Sequence, residues 1–366
     1  DATASQNQEQ ASWRDVDLGC GWQPVGSTEL SHAENFSIDR FEGGYSLICI
    51  ADGTRFFVVP EGAEAPEGLS EDITVIQQPL DNIYMVAANI VCLFDALDAI
   101  DAIGVSGILL DHCPIDSFNA AMESGAITYA GKYSAPDYEI VLESGTSLAV
   151  ESTMINHSPE VKEKLQNLGV TVLVDQSSYE SQALGRLEWI KLYGILLGKE
   201  ALAEEVFAQQ AQRIAPLLEQ PSTGKRCAFF SITSSGLATV RKSGDYVAQM
   251  IGMAGGEYVF ADLADSGNSL STMNIPLEDL YAGVKDADVL IYNGTIEGSI
   301  STKEELLARC ALLAECKAVQ SGNIWCTTPS FFQQSMALPD LILDMNRVFT
   351  EGDPAPEELT LLQKIS

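Results

Sequence analysis

The chain is short of positive charge: 20 Lys and Arg stand against 52 Asp and Glu, a formal net charge of −32. Such a molecule is repelled by phosphate backbones and anionic lipid head groups, which argues against nucleic acid as a partner. The acidic excess is scattered rather than run together, as expected of a solvated surface. Long apolar runs are also missing. The longest, Tyr84 to Phe94, is interrupted by Asn89 and falls short of the ~18 apolar residues a membrane span needs, so it reads as a core strand running into a helix. The segment DATASQNQEQAS has neither a charged n-region nor an apolar h-region; residues 1–22 are expected to form a flexible tether, any export signal having been removed or never present.

Histidine and paired cysteine are scarce too. His32, His112 and His157 sit singly, and a three-histidine metal site would need all of them, although His32 lies in the early polar segment. The eight cysteines include no CxxC pair. Cys49 in SLICI and Cys92 in NIVCLF read as small core hydrophobes, while Cys310, Cys316 and Cys326 could hold one disulfide in an oxidising compartment. Enzyme signatures are absent: there is no GxSxG and no HExxH, GAITYAGKY is one residue too long for a phosphate loop, and GMAGGE follows a helix and fits a C-cap. No nucleophile–base pair stands out, so no catalytic residue is assigned and the chain is read as a non-enzyme.

What the sequence does contain is α/β alternation. At 366 residues it exceeds the size at which single cores stop growing, which suggests two lobes. FSIDRFEGGYSLICIADGTRFFVV (36–59) alternates as three antiparallel strands with turns at Gly43-Gly44 and Asp52-Gly53. Short apolar strands then alternate with helices through 174, within an N-terminal lobe of residues 23–180, and again within a C-terminal lobe of 221–366. Between them, residues 184–214 read as one helix about 45 Å long at ~1.5 Å per residue, a strut within a connecting region of 181–220 that ends or kinks at Pro216. APDYEIVLESGTSLAV in the first half is echoed by IPLEDLYAGVKDADVLIY in the second, each a proline, an acid, a short helix and a buried strand.

The motifs YMVAANIVCLFDALDAIDAIGVSG, YAGKYSAPDYEIVL, LGRLEWIKLYGILLGKE, KSGDYVAQMIGMAGGEYVFADL and AVQSGNIWCT, in that order, resemble the periplasmic binding proteins that serve ABC importers of iron complexes, siderophores, haem and cobalamin. The resemblance runs from about Asn82 to Val348. It implies two Rossmann-like lobes joined by one long helix, with the ligand in a cleft between them and little hinge closure. It also implies a monomeric transport protein on the extracellular face of the membrane or in the periplasm, a lipoprotein anchored upstream of the given chain. Its partners would be a membrane permease and a small-molecule metal chelate, with no resident cofactor. The family's two permease-docking glutamates correspond by motif position to Glu139 and Glu278.

Ligand-binding positions are expected at strand ends facing the cleft: Asn89, Lys132, Tyr133, Glu151, Ser152, Met154, Tyr179, Arg241, Lys242, Phe332 and Gln333, with Ser178 and Arg186 nearby in the same loops. Lys132, Arg186, Arg241 and Lys242 would form a positive patch for an anionic chelate, although Arg186 reads better as pairing with a local carboxylate. Haem would draw on Tyr133, Tyr179 or His112 as an axial ligand. Alternatives are a receptor of the same fold for a small oxyanion such as molybdate or for a bare metal ion, an α/β metal-dependent enzyme with an interlobe site, and a nitrogenase-like metal-cluster protein. Cys and His are not matched at strand-end loops, which speaks against the last.

Overall fold

In the computed structural model, residues 13–263 and 271–366 are described; the first twelve residues of the expected tether lie outside them. Two compact units divide the chain, residues 1–180 with 184–207 and residues 181–183 with 208–366. The first unit opens with strands β1 (Gly26–Ser27), β2 (Phe36–Arg40), β3 (Ser46–Ile50), β4 (Arg55–Val59) and β5 (Thr74–Gln77), arranged in that order. The first four are antiparallel, β2 to β4 as the alternation of 36–59 predicted and β1 in addition, and β5 adds parallel to β4. Gly43, Gly44 and Gly53 take φ of +86°, +87° and +88° in the turns, a region open to glycine at no steric cost.

Residues 13–22 correct the tether expectation. Trp13, Val16 and Cys20 pack on a cluster of Leu18, Phe41, Leu47, Cys49, Phe57, Val59 and Ile73, and Ser70 N donates to Leu18 O at 2.8 Å. Four apolar side chains among polar neighbours, Trp13, Val16, Leu18 and Cys20, are enough to hold the segment on this cluster, a signal lost in the segment's overall polarity.

The second sheet of this unit runs β10 (Thr171–Asp175), β9 (Leu148–Ser152), β6 (Ile83–Met85), β7 (Ile103–Ser106), β8 (Thr128–Tyr129), and every pair is parallel. Helices α1 (Val91–Ala96), α2 (Asp116–Glu123), α3 (Tyr138–Glu143) and α4 (Pro159–Asn167) connect the strands. Local signals set their ends: Asp137 caps α3 by accepting from Glu139 N and Ile140 N, and α4 starts on Pro159 and closes before Gly169 at φ +87°.

The strut is not one helix. Residues 183–218 form α5 (Ala183–Glu188), α6 (Ile190–Leu196) and α7 (Glu200–Leu218). Gly198 at φ +66° ends α6, because the left-handed conformation breaks the hydrogen-bond ladder. Every residue of α6 is buried, and Gly194 lets α7 approach so closely that an added Cβ would lie 2.5 Å from Ala203 Cβ. The chain passes from the first unit to the second within α7, after Phe207; its 19 residues span about 28 Å. Pro216 sits inside this helix and does not end it at Ala215. Two buried carboxylates fix the start of this region to the first sheet: Glu188 accepts from the backbone N–H of Ser31, His32 and Ala33, and Glu180 from those of Glu34 and Asn35 and from Trp189 Nε1, all at 2.8–2.9 Å.

The second unit is built on one mixed sheet, β14 (Thr272–Pro276), β12 (Leu237–Arg241), β11 (Lys225–Ile232), β15 (Val289–Tyr292), β16 (Ile324–Thr327), β17 (Leu362–Lys364), with β13 (Gly256–Tyr258) pairing the start of β11. Helices α8 (Tyr246–Met253), α9 (Leu277–Val284), α10 (Lys303–Arg309), α11 (Lys317–Ser321) and α12 (Leu338–Glu351) flank it. The sequence echo has a topological counterpart. α3 leads into β9, which lies between β6 and β10; α9 leads into β15, which lies between β11 and β16. All eight cysteines are free thiols, Cys310, Cys316 and Cys326 among them.

Candidate functional site

Because the second sheet of the first unit is wholly parallel, the C-terminal ends of β6 to β10 all lie at one edge, where α/β sheets bind ligands. Asn89 follows β6, Lys132 and Tyr133 follow β8, Glu151 and Ser152 end β9 with Met154 just beyond, and Tyr179 follows β10. The sequence candidates of this half therefore share one edge. Asn89 Nδ2 donates to Ser177 Oγ at 3.2 Å, Ser177 N and Oγ donate to Asp175, and Tyr193 OH donates to Asp175 at 2.7 Å. Burial raises the Asp175 carboxyl above the ordinary range while these donors pull it back. Asp175, Ser177 and Tyr193 were not singled out from sequence; the one available signal was an acid closing the apolar run TVLV. Met154 and Tyr179 are 46% and 59% exposed, free to meet a ligand, and Lys132 is exposed beside a half-buried Tyr133.

Glu151 differs from every other acid here. It has no exposed surface, and neither carboxyl oxygen has a hydrogen-bond partner. On a strand it faces the same side as Ala149, which belongs to the core cluster of Tyr84, Val105, Ala130 and Val141, with Val86, Tyr133, Tyr138 and Ile140 packed against it. Burial pushes its carboxyl up to about 8. Tyr84, whose hydroxyl donates to Gly131 O at 2.8 Å, is itself raised by burial and then by the nearby Glu151.

In the second unit Arg241 does not extend from the carboxyl edge of a parallel strand. It ends β12, which runs antiparallel to β11, Val240 pairing with Phe230. Arg241 is buried at 7% exposure, its Nη1 is 3.6 Å from Asp245 Oδ2, and its guanidinium lies 4.9 Å from the Phe332 ring centre, 5.7 Å from Phe229 and 6.0 Å from Tyr246. The structure therefore joins Arg241 and Phe332, two separate sequence candidates, into one stack. Lys242 is buried beside them, its N–H donating to Ser271 O at 3.0 Å. Arg186, in the first unit, donates to the carbonyl oxygens of Glu180 and Ser178. Gln333 follows Phe332 in the short 3-10 turn Phe331–Gln333.

Glu139 and Glu278 are both exposed, each the second residue of its helix, α3 and α9. Neither pairs with Lys or Arg among the described residues. Among the described residues no group of three or more His, Cys, Asp or Glu is placed to hold a metal ion, and no helix is long and apolar enough to cross a membrane.

The sequence profile of the periplasmic binding proteins matches residues 91–330. The chain belongs to that family. An uncharacterised lipoprotein of Methanocaldococcus jannaschii is 24% identical over 313 residues, covering 82% of this chain and 73% of the relative. A periplasmic haem-binding protein of Vibrio cholerae is similar in structure at a TM-score of 0.61 and 17% identity, covering 75% of this chain and 99% of that one. An Fe3+-hydroxamate transport protein of the ABC type from Saccharomonospora viridis gives 0.55 at 19% identity, over 75% and 95%. At such identities these structures show a common fold. This family member is thus a binding protein of the periplasmic type, and solved structures that share its fold are described as a haem-binding protein and an Fe3+-hydroxamate transport protein. The five-stranded sheet of residues 26–77 lies outside the matched stretch.

Proposed function

We propose that this family member captures a metal chelate of the siderophore, haem or cobalamin class and hands it intact to the permease, docking through Glu139 and Glu278. The lipoprotein character of the relatives supports a lipid-anchored protein at the extracellular face of the membrane. For the ligand we assign Asn89, Tyr133, Ser152, Met154 and Tyr179 of the first unit's strand-end edge; Lys242, Phe332 and Gln333 are the second unit's candidates. The observation that carries the docking assignment is the matched placement of the two glutamates. Each is exposed in the first turn of the helix that leads into the strand beside the first strand of its own sheet. A carboxylate there also gains about 0.3–1 kcal/mol from the helix dipole, but that gain requires no such symmetry.

Changing both glutamates to alanine is expected to abolish stimulation of permease ATPase activity in proteoliposomes while ligand affinity stays unchanged. Loss of ligand binding in the double variant would place these residues in the binding site instead. The absorption spectrum of protein purified from its own host tests the ligand class: a Soret band, a corrinoid spectrum or a ferric charge-transfer band each selects one chelate.

A further inference from the structure

The first unit holds a carboxyl group with nothing to bind. Both oxygens of Glu151 are sealed from solvent and unpartnered, although buried polar groups are nearly always hydrogen-bonded. The group stands one residue before the end of β9, at the edge where Tyr133, Ser152 and Met154 gather. The titratable groups around it are already engaged or lack a charge to offer. Tyr84 OH donates to Gly131 O, and Tyr138 carries Lys164 Nζ 3.9 Å from its ring centre, with Glu160 close enough to act on it. Tyr129 lies beyond Tyr84, and Lys132 is exposed in the loop above.

We propose that Glu151 is the acceptor at the floor of a ligand subsite in the first unit, and that it receives an N–H donor of the cargo, an amine cation or a peripheral amide. The proposal rests on the reading of the chain as an import receptor. The half-buried rings of Tyr133 and Tyr138, packed on the cluster that this face of β9 joins, are what the incoming group displaces. A carboxyl accepts from such donors whether or not it is ionised, and an amine cation draws it into the charged form, which burial alone disfavours. Charge points the same way. A chain of net charge −32 attracts cations and repels polyanions, and the guanidinium groups of Arg186 and Arg241 lie against backbone carbonyls and Asp245. A cargo rimmed with amides or amines would supply the donors that Glu151 lacks, whereas one rimmed with carboxylates would add negative charge to an already acidic chain.

The test uses the full chain and three forms: wild type, Glu151→Gln, and Glu151→Leu, with the Gln form carrying the comparison should the Leu form not fold. Thermal unfolding is followed in methylammonium chloride against sodium chloride at equal ionic strength in alkaline buffer. Calorimetric titration follows cyanocobalamin, whose periphery is amides, and haemin, whose periphery bears carboxylates. Methylammonium is expected to raise the wild-type midpoint and leave both variants unmoved, and cyanocobalamin to bind at least tenfold more weakly to Glu151→Leu, which has no acceptor, while Glu151→Gln, which keeps a carbonyl oxygen, retains more of its binding. Equal responses in all three forms, or tight haemin binding indifferent to residue 151, overturn the proposal. A methylammonium effect that depends on Glu151, with neither chelate bound, keeps the subsite and removes the chelate reading. A chelate bound equally by all forms, with no methylammonium effect, does the reverse.

Discussion

Buried carboxyls differ in how far hydrogen bonds offset the cost of burial. Asp344 takes donors from Thr360, Leu361 and Leu362, which pull its carboxyl down while burial still raises it above the ordinary range, and Glu188 takes three amides and Lys191 Nζ at 3.1 Å. Glu151 has no such donors, and its carboxyl is raised from 4.5 to about 8. Below the lower value both folded and unfolded chains hold the proton, and Glu151 has no pH-dependent effect. Between the two the unfolded chain releases it while the folded chain keeps it, so stability falls as pH rises; above about 8 the loss is complete. At about 1.4 kcal/mol for each pH unit between the two values, the loss amounts to several kcal/mol. Glu151→Gln is therefore expected to unfold near the wild-type midpoint in acid and well above it at alkaline pH. A gap between the two midpoints that does not widen with pH would contradict this. ESTM at the end of an apolar run drew attention to Glu151, but its isolation depends on Tyr84 and Tyr138, which come near it only after the sheet forms.

At the level of elements, most of the strands and helices were legible because each carries its own periodicity and punctuation. SPEVKEKLQNLG shows its proline start and glycine stop, and FSIDRF…RFFVV its alternation and glycine turns, with no help from tertiary contacts. The strut was misjudged because apolar periodicity on both sides of Gly198 is compatible with a single rod, while the direction in which the chain leaves Leu197 depends on the backbone conformation of one residue. Two glycines in this corner have different roles, and substitution separates them. Gly198 has positive φ and only Gln78 Nε2 within 4 Å of a built Cβ, at 3.8 Å, so Gly198→Ala should cost about 1–2 kcal/mol through backbone strain alone. Gly194 is helical, and alanine there gains about 1 kcal/mol of propensity. Its methyl would nonetheless sit 2.5 Å from Ala203 Cβ, and overpacking of this kind costs about 1–3 kcal/mol. Ala203→Gly should restore the space, so the pair Gly194→Ala with Ala203→Gly should show favourable coupling in a double-mutant cycle of unfolding free energies. The same partner change should do nothing for Gly198→Ala. Additivity in the first pair would mean that α6 and α7 are not held at this separation.

For the whole molecule the governing quantity is the charge of −32, which no local pairing cancels. Ion pairs such as Arg213–Asp340 and Lys317–Asp288 neutralise acids one at a time, but 20 basic residues cannot compensate 52 acidic ones, and the remainder repel one another across the surface. Self-repulsion of this kind disfavours the folded state, where the charges are closest, and it is relieved by screening. The screening length falls from about 30 Å at 0.01 M salt to about 8 Å at 0.15 M, so most of the relief should arrive within that interval. The unfolding midpoint is thus expected to climb steeply with sodium chloride at low concentration and then level off. Sodium sulfate should follow the same early rise at matched ionic strength and continue upward, because its exclusion from protein surface adds a term that does not saturate with screening. A midpoint already flat from the lowest salt upward would mean that the acidic groups are spaced or protonated so as to interact little, and it would remove the electrostatic support for the proposed preference for neutral or cationic cargo.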